Sequence, residues 1–319
     1  FQYVALNEFL FKMLFFPLGI FAAKSLDLRD YDVILCSTTN CGKYIKVNES
    51  ALVINYCYTP FRLAWNPSSY HLSQNIVIKF FLNQIIKILR KIDYYYAQRA
   101  NYYIAMTEET SQRIKDCYDH TQNIEIISPS IDTNKFKKSS LIKDYFLVVS
   151  RLEKYKKVDM VVEVFNKLNL SLIIIGSGTQ EKYLKNIAKN NIKFLKNISD
   201  NKLKKYYSES KALIFPQYED YGLTVLESYA SGRPAICFNG GGSKYTGIPL
   251  NNRNTNKATM LTFNEQNSND LVNAILKFDE NLFDSETIIN HIKKYDDKIF
   301  IKKIRQFVNE KFIEDNEKK

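Results

Sequence analysis

The sequence predicts an α/β protein with two parallel-sheet domains. Three observations carry that expectation. Short apolar runs, rich in β-branched and aromatic residues, alternate with longer segments whose apolar positions recur at helical spacing. Several of the runs lead straight into loops of glycine or charge, the composition expected where ligands gather at the carboxyl ends of parallel strands. The chain's 319 residues, 45% of them hydrophobic, suffice for two separate cores.

Taken in order, strands are expected at residues 32–36, 51–56, 102–106 and 124–127 of a first domain spanning 1–136. Residues 9–23 are strongly apolar, but the run has 15 residues with Lys12 and Pro17 inside it. That falls short of the roughly 20 needed to span a bilayer. Residues 76–92 set Phe80, Phe81, Leu82, Ile85, Ile86 and Leu89 beside Lys79, Lys87, Arg90 and Lys91. This suits a helix turned to the core or one lying on anionic lipid. Residues 135–143 are polar and rich in Ser and Lys, the composition of an interdomain linker. A second domain, 137–296, should hold strands near 145–150, 171–175, 192–195, 211–215 and 234–238, with a closing helix in 297–319.

The net charge of +11 suits an anionic membrane surface or nucleic acid as partner. No nucleic-acid-binding motif is present and the aromatics are scattered, so nucleic acid is not expected. Cys36, Cys41, Cys57, Cys117 and Cys237 form no Cys-x-x-Cys pair, which indicates reduced thiols and a cytoplasmic chain. His71, His120 and His291 are not spaced as a ligand pair. Neither a metal nor another cofactor is expected.

The most informative segment is FPQYEDYGLTVLESYASGRP, residues 215–234. A short strand, 211–215, runs into a loop; Gly222 then opens a helix that Gly232 and Pro234 end. Glu219 therefore precedes the helix and Glu227 lies within it. The first-turn N–H groups around Gly222, Leu223 and Thr224 lack intrahelical acceptors, and with the helix dipole they suit a phosphate or a polarised sugar hydroxyl. A carboxylate on either side can accept hydrogen bonds from a polyol. From this segment alone, an ordinary capped α/β unit with surface acids remains an alternative.

Arg151 and Lys156 fall in the loop between the strand at 145–150 and the helix at 158–168. Arg offers a fork of donors matched to phosphate oxygens and Lys a mobile point charge. Arg151 follows directly on a buried strand, where an unpaired charge would be costly. Lys156, like its neighbours Lys154 and Lys157, also reads as a solvated loop charge. Gly176 and Gly178 follow the strand at 172–175 and permit close backbone approach, to a ligand or simply within a tight turn. Glu181 stands where a dinucleotide fingerprint needs its third glycine, which argues against a nicotinamide cofactor.

The paired glutamates resemble the signature of the family 4 (group 1) glycosyltransferases, retaining enzymes of the two-Rossmann-domain type called GT-B. Residues 145–165, 172–178, 192–200 and 233–242 follow that family's donor-domain pattern in order and spacing. Residues 55–65 (NYCYTPFRLAW) are similar to the Cys-His-Thr-Pro-x-Arg-x-x-Trp loop of bacterial O-antigen and polysaccharide mannosyltransferases. The likeness covers most of residues 26–312.

The resemblance implies two Rossmann-like domains with parallel sheets facing a cleft, and a terminal segment returning to the first domain. It implies that Arg151, Lys156 and Glu219 are catalytic, and that Gly176, Gly178, Asp220, Tyr221, Gly222, Leu223, Thr224 and Glu227 bind the donor. Glu227 would hold the ribose. Tyr58 and Arg62 would lie in the cleft, with Tyr58 where the family carries histidine. The implied donor is GDP-mannose or another nucleoside diphosphate hexose, and the acceptor a glycan or lipid-linked glycan, at the inner membrane face. The family's first strand and its glycine loop are expected to be missing. A sugar phosphorylase or epimerase of the same fold, or an inactive nucleotide-binding fragment, is the alternative.

Overall fold

The computed structural model describes residues 18–67, 76–119, 123–251, 254 and 257–317. They form two compact units: the chain up to Ser128 with Lys303–Lys319, and Pro129–Lys302.

The first unit holds a parallel sheet in the order β1 (Val33–Thr38), β2 (Leu52–Cys57), β3 (Tyr102–Ala105), β4 (Ile124–Ile126). Strand β2 is buried along its whole length, as its apolar LVINYC run requires of a strand covered on both faces. Helices α1 (Arg62–Trp65), α2 (Ile76–Ala97) and α3 (Glu108–Tyr118) connect the strands. Thr107 caps α3 by accepting the Thr110 N–H, and Glu108 and Glu109 complement the dipole of its first turn.

A buried polar knot joins helices α1, α2 and α3 to the turn Cys41–Tyr44 after β1. The fully buried Asp93 carboxylate takes Lys43 Nζ at 2.6 Å and the Tyr44 hydroxyl at 2.7 Å on Oδ1. On Oδ2 it accepts the Tyr118 hydroxyl and the Trp65 indole N–H, each at 2.8 Å. Helix α2 buries Ile86 and Leu89 but leaves Phe80, Phe81, Ile85 and Ile88 exposed. Ile20, from a helical segment at 18–25, packs with Leu89, Phe61 and Ala64. Most of the apolar run at 9–23 lies outside the described residues. Among those described, no helix is long and apolar enough to cross a membrane.

The second unit holds a six-stranded parallel sheet in the order β10-β9-β8-β5-β6-β7. Its strands are β5 (Phe146–Val149), β6 (Leu172–Ile175), β7 (Ile192–Leu195), β8 (Leu213–Phe215), β9 (Ala235–Phe238) and β10 (Met260–Phe263). The sequence reading anticipated five of them and missed β10, four residues behind a polar stretch, held by parallel pairing with β9. Helix α4 (Val158–Leu168) buries Val158, Val161, Val162, Val164 and Phe165 against the sheet core, as its apolar spacing demands. The unit's remaining helices are α5 (Glu181–Ile187), α6 (Asp200–Glu209), α7 (Leu223–Ala230), α8 (Ser268–Lys277) and α9 (Ser285–Ile292); α10 (Asp297–Asn316) begins in this unit and belongs to the first from Lys303 on. Residues 135–143 lie inside this unit, where the Lys143 N–H bonds to the Glu209 carbonyl and Arg233 bonds to the Ser139 carbonyl.

The chain thus has the fold class expected of it, α/β with two parallel sheets. In the larger sheet the order reverses at β5, with β6 and β7 on one side and β8, β9 and β10 on the other. Ligands of open α/β sheets settle at such a switch point, beyond the carboxyl ends of the strands.

Candidate active site

The two loops at that switch point carry the expected charges. After β5, residues Lys154–Lys156 form a single 3-10 turn, and Lys157 adopts the left-handed conformation (φ 56°) that turns the chain into α4. The turn points Lys156 inward. Its side chain is 7% exposed and forms an ion pair with Glu219, from the loop after β8. A buried ammonium needs such a partner, because leaving it unpaired costs several kcal/mol. The solvated-charge alternative thus does not describe Lys156. Arg151, by contrast, is exposed, and its guanidinium donates to the Tyr155 hydroxyl at 2.7 Å. Although it follows a buried strand, its side chain leaves the strand end for solvent and needs no counterion there.

Glu219 is held by backbone. After β9, Gly241 and Gly242 lie against residues 219–220, and the Gly242 N–H donates to the Glu219 carbonyl at 2.6 Å. A Cβ on Gly242 would meet the Asp220 carbonyl oxygen at 2.0 Å, and one on Gly241 the Glu219 oxygen at 2.4 Å. Only glycine permits this contact. Gly176 and Gly178 serve the same purpose one strand over, since their Cβ atoms would meet the Ser150 and Leu152 carbonyl oxygens at 1.8 and 2.5 Å. The close approach these two allow is to the end of β5. Leu152 donates to the Ser177 carbonyl, and Glu153 accepts from the Thr179 N–H and hydroxyl, tying the β5 and β6 loops together.

Helix α7 begins at Leu223 with Gly222 as its cap residue, and Gly232, at φ 72°, follows its end. Leu223 is exposed, Thr224 half-buried and Tyr221 buried. Glu227, one helix turn further on, accepts the Tyr207 hydroxyl at 2.6 Å. Burial pushes the Glu227 carboxyl above its ordinary value of 4.5, and the Tyr207 bond opposes that rise. Tyr207, on α6 and fully buried, was not singled out from the sequence; nothing in the spacing links it to a residue twenty positions later.

Tyr58 and Arg62 belong to the first unit. The Tyr58 N–H bonds to the Thr38 carbonyl at the carboxyl ends of β1 and β2, and its hydroxyl accepts from Ser37 Oγ at 3.0 Å. Arg62 opens α1. Asp30-Tyr31-Asp32 lies exposed ahead of β1. Among the described residues no group of three or more His, Cys, Asp or Glu side chains is placed to hold a metal ion.

Residues 131–295 match the family described as Glycosyl transferases group 1, which is 165 of the chain's 319 residues. The chain belongs to the group 1 glycosyl transferases. The matched span contains the β5, β6, β8 and β9 loops just described. An uncharacterized glycosyltransferase of Haemophilus influenzae is 27% identical to this group 1 chain over 166 residues, 49% of the chain and 46% of that relative. One from Methanocaldococcus jannaschii is 28% identical over 106 residues, 30% of the chain and 27% of that relative. The match thus spans less than half of each curated relative.

Solved structures share the fold. Sucrose-phosphate synthase from Thermosynechococcus elongatus superposes with a TM-score of 0.69 at 16% identity, over 89% of this chain and 74% of that one. Anabaena HepE, solved with UDP and glucose, gives 0.68 at 13%, over 92% and 81%. TarM gives 0.66 at 17%, over 92% and 58%.

Proposed function

We propose that this chain is a retaining glycosyltransferase that moves a hexose from a nucleoside diphosphate sugar to a glycan acceptor. The observation that carries the proposal is the Lys156–Glu219 ion pair at the switch point of the second sheet, with Arg151 on the same loop. A cation and a carboxylate preset side by side match a substrate whose diphosphate is anionic and whose sugar offers hydroxyls.

In the proposed reaction the acceptor hydroxyl attacks the anomeric carbon on the face that the diphosphate leaves. The C1–O bond to phosphate breaks as the new glycosidic bond forms, and the hydroxyl proton passes to the departing phosphate oxygen. Arg151, Lys156 and the first-turn amides of α7 stabilise the charge that develops there. Glu219 orients the sugar while Asp220, Tyr221, Gly222, Leu223 and Thr224 line its side of the pocket. Glu227, fixed through Tyr207, takes the ribose hydroxyls on its second oxygen. Gly176 and Gly178 keep the β5 and β6 loops close enough to shape the nucleotide end.

GDP-mannose is the proposed donor and a lipid-linked surface glycan the proposed acceptor, on the likeness of residues 55–65 to the mannosyltransferase loop. Tyr58 and Arg62 would contact the sugar or acceptor. The exposed Phe80, Phe81, Ile85 and Ile88 of α2, beside Lys87 and Lys91, support a peripheral seat on an anionic membrane of the cytoplasmic side.

The test is a transfer assay with radiolabelled nucleoside diphosphate hexoses, the product anomer read by NMR. Arg151→Ala should lower turnover by ~100-fold or more, the cost of one charge-stabilising donor. Donor turnover without a glycan acceptor would favour a phosphorylase or epimerase, and an inverted anomer would reject the retaining reaction.

A further inference from the structure

The first unit gathers a second group of cations, at the ends of its strands opposite to Tyr58. Arg29 precedes β1, Lys46 precedes β2 and Arg99 precedes β3, so the three meet at the amino ends of the sheet. Lys24, from the helical segment at 18–25, joins them around a cavity of about 380 Å³ that Tyr44 and Tyr96 also line. Lys24 Nζ and Arg99 Cζ each stand 5.5 Å from the centre of the Tyr96 ring, which holds both cations by its π face. Arg99 is further anchored by donating to the Ile45 carbonyl at 3.1 Å.

Arg29 has a counterion, since Asp27 takes its guanidinium through both carboxylate oxygens and is held at about 2 by that pairing. Among the described residues, Lys24, Lys46 and Arg99 make no direct ion pair, although the Asp27 carboxylate that holds Arg29 also attracts Lys46. The lining of the cavity holds four cations and no carboxylate, so Asp27 beside it leaves a net excess of positive charge. An anion that accepts from Lys24, Lys46 and Arg99 would offset that excess.

We propose that this pocket binds a phosphate group in its dianionic form, carried by a soluble phosphate ester or by a lipid headgroup. Two lysine point charges and an arginine fork suit a phosphate's several oxygens better than a single carboxylate. The pocket shares no residue with the proposed donor site, and the inference stands whether or not the transferase reading does.

The test compares wild type, Lys24→Gln/Lys46→Gln, Arg151→Ala and Lys87→Gln/Lys91→Gln. Lys24 and Lys46 are exposed, so their substitution should leave the thermal melt unchanged. In calorimetric titration with inorganic pyrophosphate, Lys24→Gln/Lys46→Gln should weaken one site at least ~tenfold, the value of a single charge-assisted hydrogen bond, while Arg151→Ala retains it. In sedimentation, vesicles of phosphatidylcholine with phosphatidic acid are compared with vesicles holding the same fraction of phosphatidylserine. A preference for phosphatidic acid that Lys24→Gln/Lys46→Gln abolishes and Lys87→Gln/Lys91→Gln keeps assigns the lipid source; sensitivity of the pyrophosphate titration alone assigns the soluble one. If Lys24→Gln/Lys46→Gln changes neither measurement, the proposal is overturned.

Discussion

Asp93→Asn should cost the first unit about 3 kcal/mol, the lower end of what breaking a buried ion pair costs. Geometry explains why so small a change is expensive. Asp93 presents Oδ1 to Lys43 and Tyr44, and Oδ2 to Tyr118 and Trp65. An asparagine offers one oxygen and one NH2, so whichever way it turns, its NH2 faces either the Lys43 ammonium or the Trp65 indole. Both are donors without acceptor capacity. A tyrosine hydroxyl can rotate to accept, but those two groups have no such freedom. Tyr44→Phe removes one hydroxyl and leaves the other three donors on the carboxylate, so it should cost about 1.5 kcal/mol. Hydrogen exchange with mass spectrometry locates the effect. Amides of β2 and β3 should exchange about 100-fold faster in Asp93→Asn, the equivalent of ~3 kcal/mol, while those of β5 and β8 keep their wild-type protection. A loss below 1 kcal/mol, or an equal loss for Tyr44→Phe, would refute the argument that the charge pair and its orientation set the cost.

Three further outcomes are expected. Because burial raises Glu227 above 4.5, the folded chain holds that proton more tightly than the unfolded one; the group favours folding below that value and loses its contribution as pH rises through its folded pKa. Glu227→Gln should therefore melt higher than wild type near neutral pH and no higher at about pH 4, in parallel calorimetric scans that a constant difference would contradict. Gly242→Ala should displace residues 219–220, since its Cβ meets the Asp220 oxygen at 2.0 Å; turnover should fall ~100-fold, as a 1 Å misplacement can do, and undiminished turnover would show that Glu219 is positioned by other means. In flotation with anionic vesicles, Lys87→Gln/Lys91→Gln should weaken binding roughly 30-fold at about 1 kcal/mol per charge, and high salt should release the wild type; a chain that never floats at low salt rejects the membrane seat.

Much of this architecture was legible because parallel strands buried on two faces leave near-continuous apolar runs, as in residues 146–149, 172–175 and 213–215. Their loops were legible too, since glycine and charge punctuate them. Other features depend on contacts that sequence spacing does not encode. Gly176 and Gly178 announce a close approach, but only coordinates distinguish the backbone of Ser150 and Leu152 from a ligand as the neighbour. Arg151 follows a buried strand and still reaches solvent, because two residues past the end of β5 are enough to change a side chain's surroundings. Helix α2 carries enough apolar residues to fill a core face, yet its neighbours cover Ile86 and Leu89 and leave Phe80 and Phe81 bare. Lys43 and Asp93 are fifty positions apart, and their pairing follows from the packing of α2 beside the turn after β1.

The first unit is discontinuous in sequence, and this bears on how the chain is born. Residues 303–319 supply Phe307, which meets Tyr102 edge-on at 6.0 Å, and Lys311, whose ammonium stands 5.2 Å from the centre of the Tyr102 ring. A chain emerging from the ribosome ordinarily completes its domains from the amino end. Here the first unit draws on residues 303–319, so every residue of the second, closed at Lys302, is made before the first has all of these. Until those residues are made, Tyr102 of β3 lacks its aromatic partner, and translating the roughly 180 residues between, on the order of ten seconds or more at ordinary speed, is a window in which chaperones can act on the incomplete first unit.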